Sequence, residues 1–206
     1  KAKDEKVSLC IFCNPHNPSG RVWTQAELLR FGEICLANNV WIISDEIHCD
    51  LLRNGLVHTP LAKLFPHTDR IITCMAPSKT FNMAGLMFSN IIIPNDDLRA
   101  VWKARHYSME NPLSITAAQA GYQYGHEWLK QLKTYLDDNF AFVKQYLENH
   151  LPKAKFRISE ATYLAWVNIS AYLPPEENLS LYFANHAGVL LEGGNMFVAN
   201  SDGYIR

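Results

Sequence analysis

The sequence has almost no net charge, no long apolar segment and few cysteines. Among its 206 residues, 19 Lys and Arg oppose 20 Asp and Glu, which gives a net charge of −1. Without a basic excess or a basic block, we expect neither nucleic-acid binding nor binding to an anionic membrane. The longest apolar runs, such as Leu9–Cys13, are far too short to cross a bilayer. No basic segment followed by an apolar stretch opens the chain, so we do not expect a secretory signal.

The five cysteines are an odd number, which does not suit a paired disulfide framework. They favour a reducing, cytoplasmic compartment. Cys10 and Cys13 form a C-x-x-C sequence inside an apolar run, and residues three apart on a strand face opposite sides. We therefore expect no metal site there, and the histidines lack a recognised ligand spacing. The chain begins at Lys1 and stops at a strand-like tripeptide, residues 204–206, which predicts a piece of a longer protein.

The first half of the chain alternates between strand and helix patterns. Short apolar runs predict strands at residues 8–13, 40–44, 70–75 and 89–93. A capping-box sequence at residues 24–27 precedes a helical periodicity that ends near residues 38–39. This order indicates an α/β unit with a mixed, mostly parallel sheet.

The second half has a different character. Helices are predicted at residues 95–107, 113–124 and 126–150, and the last of these is long and amphipathic. Antiparallel strands are predicted at 156–158 and 163–169. Pro174 and Pro175 precede a helix through Ala187, and residues 188–191 are predicted to return to strand. We expect a boundary inside the long helix, with one domain at 1–137 and a smaller α+β domain at 138–206.

Three polar segments follow predicted strands, where α/β sheets present their ligand-binding groups. They are residues 14–20 (NPHNPSG), 45–48 (DEIH) and 76–82 (APSKTFN). Each alone is more often a turn, a helix cap or a solvated loop. Their joint occurrence, in this order after consecutive strands, favours a ligand site.

These segments closely resemble those of the fold-type I pyridoxal-phosphate enzymes of the class I/II aminotransferase superfamily. Within that superfamily they resemble the MalY/PatB group of cystathionine β-lyase-like carbon–sulfur lyases. The resemblance runs through residues 162–166 (TYLAW) to the end of the chain, and it covers roughly the second half of such an enzyme. It implies pyridoxal 5′-phosphate as the cofactor and a large cofactor-binding domain followed by a small domain.

The resemblance also assigns roles to residues. Lys79 matches the lysine that binds the cofactor covalently and then removes the substrate's α-proton. Asp45 matches the carboxylate that keeps the cofactor's ring nitrogen protonated. Asn17 and His48 match positions that contact the ring's phenolic oxygen. Arg206 matches the arginine that holds the substrate α-carboxylate, which suits a bidentate guanidinium.

The phosphate-binding pattern departs from many aminotransferases. The positions three residues before the lysine and eight after it are Ala76 and Met87, where a Ser and an Arg are common. Ser78 is the remaining candidate for a phosphate contact, and we expect other contacts from a preceding part of the chain or a partner subunit.

The implied reaction is α,β-elimination of a cysteine S-conjugate to pyruvate, ammonia and a thiol. An aminotransferase with the same lysine, aspartate and arginine is the alternative, because the two activities share this skeleton. A non-catalytic fragment or regulatory module is a third reading. The resemblance further implies a small amino-acid substrate and a homodimer, with no metal.

Overall fold

The structure is a computed structural model that describes residues 1–106, 109–173, 178–197 and 203–206. Its first part alternates between strands and helices. The elements are β1 (Leu9–Cys13), α1 (Gln25–Ala37), β2 (Trp41–Asp45), α2 (Leu61–Leu64), β3 (Ile71–Met75), α3 (Pro77–Thr80) and β4 (Asn90–Ile92). The four strands and the first helix predicted from the sequence are confirmed, each within one or two residues.

These strands form a four-stranded sheet in the order β1-β2-β3-β4. β1 pairs with β2 and β2 with β3 in parallel, whereas β4 runs antiparallel to β3. In the register, Cys13 lies beside Asp45, and Asp45 lies beside Cys74. The mixed, mostly parallel sheet is therefore confirmed, and the carboxyl ends of its three parallel strands meet at one edge.

Helix α1 covers one face of this sheet. Thr24 caps it, and the Thr24 and Glu27 side chains satisfy each other's backbone N–H groups, which confirms the capping box. The apolar face of the helix packs on inward-facing strand residues. The buried cluster consists of Phe12, Leu28, Cys35, Val40, Ile42, Leu61 and Ile71. Burial of this cluster holds the strands, and hence their carboxyl ends, in a fixed arrangement.

The second part of the chain is mostly helical and ends in a small sheet. Its elements are α4 (Asp96–Arg105), α5 (Pro112–Tyr124), α6 (His126–His150), β5 (Lys155–Phe156), β6 (Val167–Asn168), α7 (Leu179–Ala187) and β7 (Tyr204–Ile205). The predicted long helix and the strand-like chain end are confirmed. Of the other predictions, Tyr107, Pro174 and Pro175 lie outside the described residues.

Two strand predictions need correction. The prediction of a strand at 188–191 is wrong, because Gly188 ends α7 in a left-handed conformation (φ 64°). Pairing with the end of the chain is made by the next two residues, since Arg206 N donates to Glu192 O (2.8 Å) and Gly193 forms a bridge to Ile205. The predicted strand at 163–169 is shortened to Val167–Asn168. Its first residues follow Thr162, whose φ of 73° interrupts an extended path.

The three-stranded sheet has the order β5-β6-β7, and both pairs are antiparallel. Val167, Ile169 and Leu179 form its small buried cluster, against which Leu147 of α6 packs. β7 pairs with the central strand β6 and is followed directly by Arg206, so this sheet determines the position of Arg206.

Candidate active site

The three polar segments lie at one edge of the four-stranded sheet. Residues 14–20 follow β1, residues 45–48 follow β2, and α3 begins two residues after β3 ends. Backbone hydrogen bonds continue the pairing past the strands, since Asn14 N donates to Asp45 O (3.0 Å) and Glu46 N donates to Cys74 O (2.9 Å). The parallel pairing therefore places the three segments side by side, as expected from their sequence positions.

Asp45 is the last residue of β2 and is half-buried. Its Oδ1 accepts a hydrogen bond from the backbone N–H of Ile47 (3.2 Å). Burial raises the pKa of Asp45 and the neighbouring Glu46 carboxylate raises it further, although the Ile47 hydrogen bond opposes both effects. A cation bound against Asp45 would stabilise its ionised form.

His48 is the most buried of the proposed site residues, with 2% of its surface exposed. Neither ring nitrogen has a hydrogen-bond partner among the described residues. Burial, together with the smaller effects of the charges of Lys79 and Arg206, lowers the pKa of His48 to about 4. The imidazole is therefore neutral at pH 7, and Lys79 and Arg206 are its charged neighbours.

Lys79 and Ser78 share the short helix α3 directly after β3. Pro77 occupies the first turn of this helix, where its missing N–H costs nothing. The next residue, Thr80, is fully buried and its hydroxyl donates to Asp50 Oδ2 (2.8 Å). This contact anchors the turn that carries both side chains to the segment after His48.

Arg206 reaches the same region from the far end of the chain. Its Nη1 donates to Asn17 Oδ1 (2.6 Å), which joins residues 189 positions apart. Its Nη2 forms an ion pair with Glu192, and the guanidinium lies 4.6 Å from the centre of the Phe197 ring. Burial lowers the pKa of Arg206. The structure thus brings Asn17, His48, Lys79 and Arg206 to one place.

Comparison with known proteins identifies the family. The family model described as "Aminotransferase class I and II" matches residues 1–206. The chain belongs to the class I and II aminotransferase family.

Two curated members of the family resemble the chain over its full length. Cystathionine beta-lyase PatB of Bacillus subtilis is 41% identical over 214 residues, which cover 100% of this chain and 54% of PatB. Protein MalY of Escherichia coli is 30% identical over 210 residues, covering 100% of this chain and 53% of MalY. The chain therefore spans about half the length of the curated relatives that it matches.

A solved structure gives the same result. The PLP-bound C-S lyase from Staphylococcus hominis has a TM-score of 0.96 and 51% sequence identity, over 100% of this chain and 54% of the lyase. This likeness confirms the expected α/β fold of type I.

The site of this class I and II aminotransferase family member fits the cofactor implied by the sequence. His48 offers two buried nitrogens that no described residue satisfies. Asp45 is a half-buried carboxylate whose pKa is raised by burial, and a cationic partner would offset this shift. An aromatic ring with a protonated nitrogen and a polar oxygen would satisfy both groups. The polar groups of the site therefore match pyridoxal phosphate.

Several residues around the site were not assigned a role from the sequence. Glu46 is buried, and its carboxylate accepts hydrogen bonds from Ser44 Oγ (2.8 Å) and Leu61 N (3.1 Å) and lies 2.7 Å from His58 Nε2. Tyr163 lies against His48. Glu46 could have been found by its place beside Asp45, whereas only the tertiary structure brings His58 and Tyr163 near.

Over the described ranges, no group of three or more His, Cys, Asp or Glu side chains is arranged to hold a metal ion. Within the same ranges, no helix has both the length and the apolar character required to span a membrane.

Proposed function

We propose that the full-length protein carrying this chain is a pyridoxal-phosphate-dependent carbon–sulfur β-lyase that acts on cysteine S-conjugates. The observation that supports this most is the hydrogen bond from Arg206 Nη1 to Asn17 Oδ1 (2.6 Å), which brings the end of the chain to the sheet edge that carries the segments of Asp45 and Lys79. The likeness to a C-S lyase at 51% identity favours elimination over transamination.

Five residues are proposed to hold the cofactor. Asp45 would bind the protonated ring nitrogen, and this cation would in turn keep Asp45 ionised. Asn17 and His48 would contact the phenolic oxygen, and the neutral imidazole can donate one hydrogen bond there. Ser78 would contact the phosphate, and Lys79 would hold the cofactor covalently.

When bound, pyridoxal phosphate supplies an electron sink for negative charge that develops at the substrate's α-carbon. Arg206 would bind the α-carboxylate and orient the α-carbon. The amine Nζ of Lys79 would take the proton from that carbon. Arg206 already binds Asn17, so the carboxylate site and the ring-oxygen site are connected by one hydrogen bond.

The overall reaction would consume a cysteine S-conjugate and water. The bond between the β-carbon and sulfur breaks, the sulfur leaves with its electron pair and is protonated to the thiol, and the remaining three-carbon unit is hydrolysed to pyruvate and ammonia. An aminotransferase would instead pass the amino group to a 2-oxo acid, with no loss of the thiol.

The test uses the full-length protein with added pyridoxal phosphate. We expect a visible absorbance band from the lysine-bound cofactor, and pyruvate formation from cystathionine without any added 2-oxo acid. Lys79→Ala should lose both the band and the activity. Lys63→Ala, which removes an exposed lysine of α2, is the matched control and should keep both.

The same assay separates the alternatives. Glutamate formed from 2-oxoglutarate, with no pyruvate, would favour an aminotransferase, which the description of the matched family also supports. A wild-type protein with no cofactor band would indicate a non-catalytic module and would contradict the proposed function.

We further propose that the full-length protein is a cytoplasmic homodimer. Each subunit would have two domains, with the boundary inside α6 between residues 137 and 138. Large apolar side chains on α5 and α6 support an interface, since Leu113 is 73% and Phe142 is 65% exposed. Light scattering of the full-length protein tests this, and a monomeric mass over the working concentration range would contradict it.

A further inference from the structure

Arg206, which is proposed to bind the substrate α-carboxylate, is already paired with a carboxylate of its own chain. Its Nη2 forms an ion pair with Glu192, while its Nη1 donates to Asn17 Oδ1 (2.6 Å). The Arg206 side chain is 15% exposed, whereas that of Glu192 is 42% exposed. The guanidinium is therefore largely enclosed, and the carboxylate beside it has access to solvent.

Backbone pairing holds these two side chains together. Arg206 N donates to Glu192 O (2.8 Å), and Glu192 N donates to Arg206 O (3.3 Å). Residues that exchange both hydrogen bonds across an antiparallel pair lie opposite each other, with their side chains on the same face. Next along the chain, Gly193 forms a bridge to Ile205, and its N–H donates to Ser180 Oγ (2.9 Å) of α7. The Glu192 carboxylate is therefore kept within reach of Arg206.

A further contact of the guanidinium is with an aromatic ring. Its central carbon lies 4.6 Å from the centre of the Phe197 ring, and Trp166 packs edge-on against Phe197 with the ring centres 5.5 Å apart. Such a contact holds the cation through the face of the ring, so the N–H groups of the guanidinium remain for oxygen acceptors. The carboxylate of Glu192 takes up part of this set of donors.

A second carboxylate would meet competition at this guanidinium. A bidentate carboxylate uses two N–H donors that point the same way, and every such set of Arg206 includes Nη1 or Nη2. Asn17 is bound at Nη1 and Glu192 at Nη2. The negative charge of Glu192 would also repel a second carboxylate beside it. A substrate carboxylate therefore binds well only when the Glu192 side chain moves away.

We propose that Glu192 competes with the substrate: its carboxylate pairs with Arg206 in the free protein, and the substrate α-carboxylate displaces it into solvent. This rests on the proposed function, because it assigns Arg206 to the α-carboxylate. The internal pair compensates the charge of an enclosed guanidinium when no substrate is bound. Glu192 thus lowers the affinity for substrate and takes no part in the reaction itself.

The experiment measures binding separately from turnover in the full-length holoenzyme. L-Alanine carries the α-amine and α-carboxylate but no leaving group, and its binding is followed by the change in cofactor absorbance. Glu192→Gln keeps the size of the side chain and removes its charge. We expect this variant to lower the dissociation constant of L-alanine about fivefold, because the apparent affinity rises with the fraction of protein in which Arg206 is free.

A second ligand distinguishes this competition from other effects of the substitution. L-Alaninamide has the same amine but no carboxylate, so its dissociation constant should change by less than about twofold in Glu192→Gln. Damage to the site would weaken the binding of both ligands, which is opposite to the gain expected for L-alanine. Glu148→Gln is the matched control, since it removes one negative charge from an exposed ion pair with Lys144 on α6 (2.9 Å). It should change the affinity for neither ligand.

The outcomes separate this role from the proposed function. An unchanged or weaker affinity of Glu192→Gln for L-alanine would overturn the competition, even if the holoenzyme is an active lyase. So would an equal gain for L-alanine and L-alaninamide, because Glu192 would then not compete with a carboxylate. A gain for L-alanine alone, in a protein that forms no pyruvate, would support the role of Glu192 while contradicting the lyase. A protein that takes up no cofactor overturns both.

Discussion

Gly20 and Gly188 have the same backbone conformation in different surroundings, which makes them a matched pair for substitution. Both have a φ of 64°. A Cβ atom at Gly20 would lie 2.2 Å from Ser159 Cβ and 2.7 Å from Ala161 O, whereas one at Gly188 would meet nothing within 4 Å. Gly20→Ala therefore adds a steric clash to the conformational cost that Gly188→Ala isolates.

The magnitudes follow from these two contributions. An L-residue in the left-handed region costs about 1–2 kcal/mol, part of which the lower entropy of the unfolded alanine variant offsets. We expect Gly188→Ala to lower the free energy of unfolding by about 1 kcal/mol. Overpacking adds about 1–3 kcal/mol, so Gly20→Ala should lose about 3 kcal/mol.

Urea denaturation, followed by tryptophan fluorescence, measures both variants against the wild type. The clash at Gly20 also separates the loop of Asn17 from the segment that precedes Tyr163, because Ala161 N donates to Gly20 O (2.9 Å). We therefore expect weaker cofactor binding only in Gly20→Ala. Equal losses of stability in the two variants would show that the loop does not pack against residues 159–161 as described.

Three further predictions concern buried polar groups. Burial lowers the pKa of His48 from 6.5 to about 4, so the unfolded chain gains a proton that the folded protein excludes as the pH falls through this range. The free energy of unfolding of the cofactor-free protein should thus fall by up to about 3 kcal/mol between pH 6.5 and 4. Denaturation curves of His48→Asn should lack this part of the pH dependence. The same pH dependence in His48→Asn and the wild type would contradict a buried, neutral His48. Arg53→Met removes a buried cation that is paired with Asp137, so it should lower the free energy of unfolding in urea by about 3 kcal/mol. The control Lys144→Met breaks an exposed pair on α6 and should lower it by less than about 0.5 kcal/mol. Similar losses in the two variants would argue against a buried Arg53. Glu46→Gln should lower the free energy of unfolding by about 2 kcal/mol, because one buried acceptor oxygen becomes a donor. Ser44→Ala removes one hydrogen bond to this carboxylate and should lower it by about 1 kcal/mol. A thermal unfolding midpoint that Glu46→Gln leaves unchanged would show that the carboxylate is not buried as described.

The site could be predicted from the sequence where its residues belong to one short segment. The DEIH segment at residues 45–48 follows an apolar run, and the strand it ends is present in the structure. Lys79 was predicted to follow the third strand, and it lies in α3 after β3. Segments of this kind carry their own turn chemistry, and parallel pairing then brings them to one edge.

The rest depended on contacts between distant segments. The strand predicted at 188–191 is absent, because residues 192–193 rather than 188–191 pair with the end of the chain. A short apolar run occurs both in strands and in coil segments that pack against a strand, so the apolar residues at 188–191 could not show which of the two forms here. In the same way, nothing in the TYLAW segment indicated that Thr162 would adopt a positive φ.

The sequence alone determined the family of the protein, the order of its helices and strands, and the polar segments at the strand ends. Local periodicity and short motifs encode these features. Only the tertiary structure decided that Arg206 binds Asn17 and that Tyr163 lies against His48. These pairs are separated by more than a hundred residues, and no local pattern specifies them. Their proximity results from the burial of two apolar clusters, around Ile42 and around Val167, together with the contacts of Arg53 and Thr162.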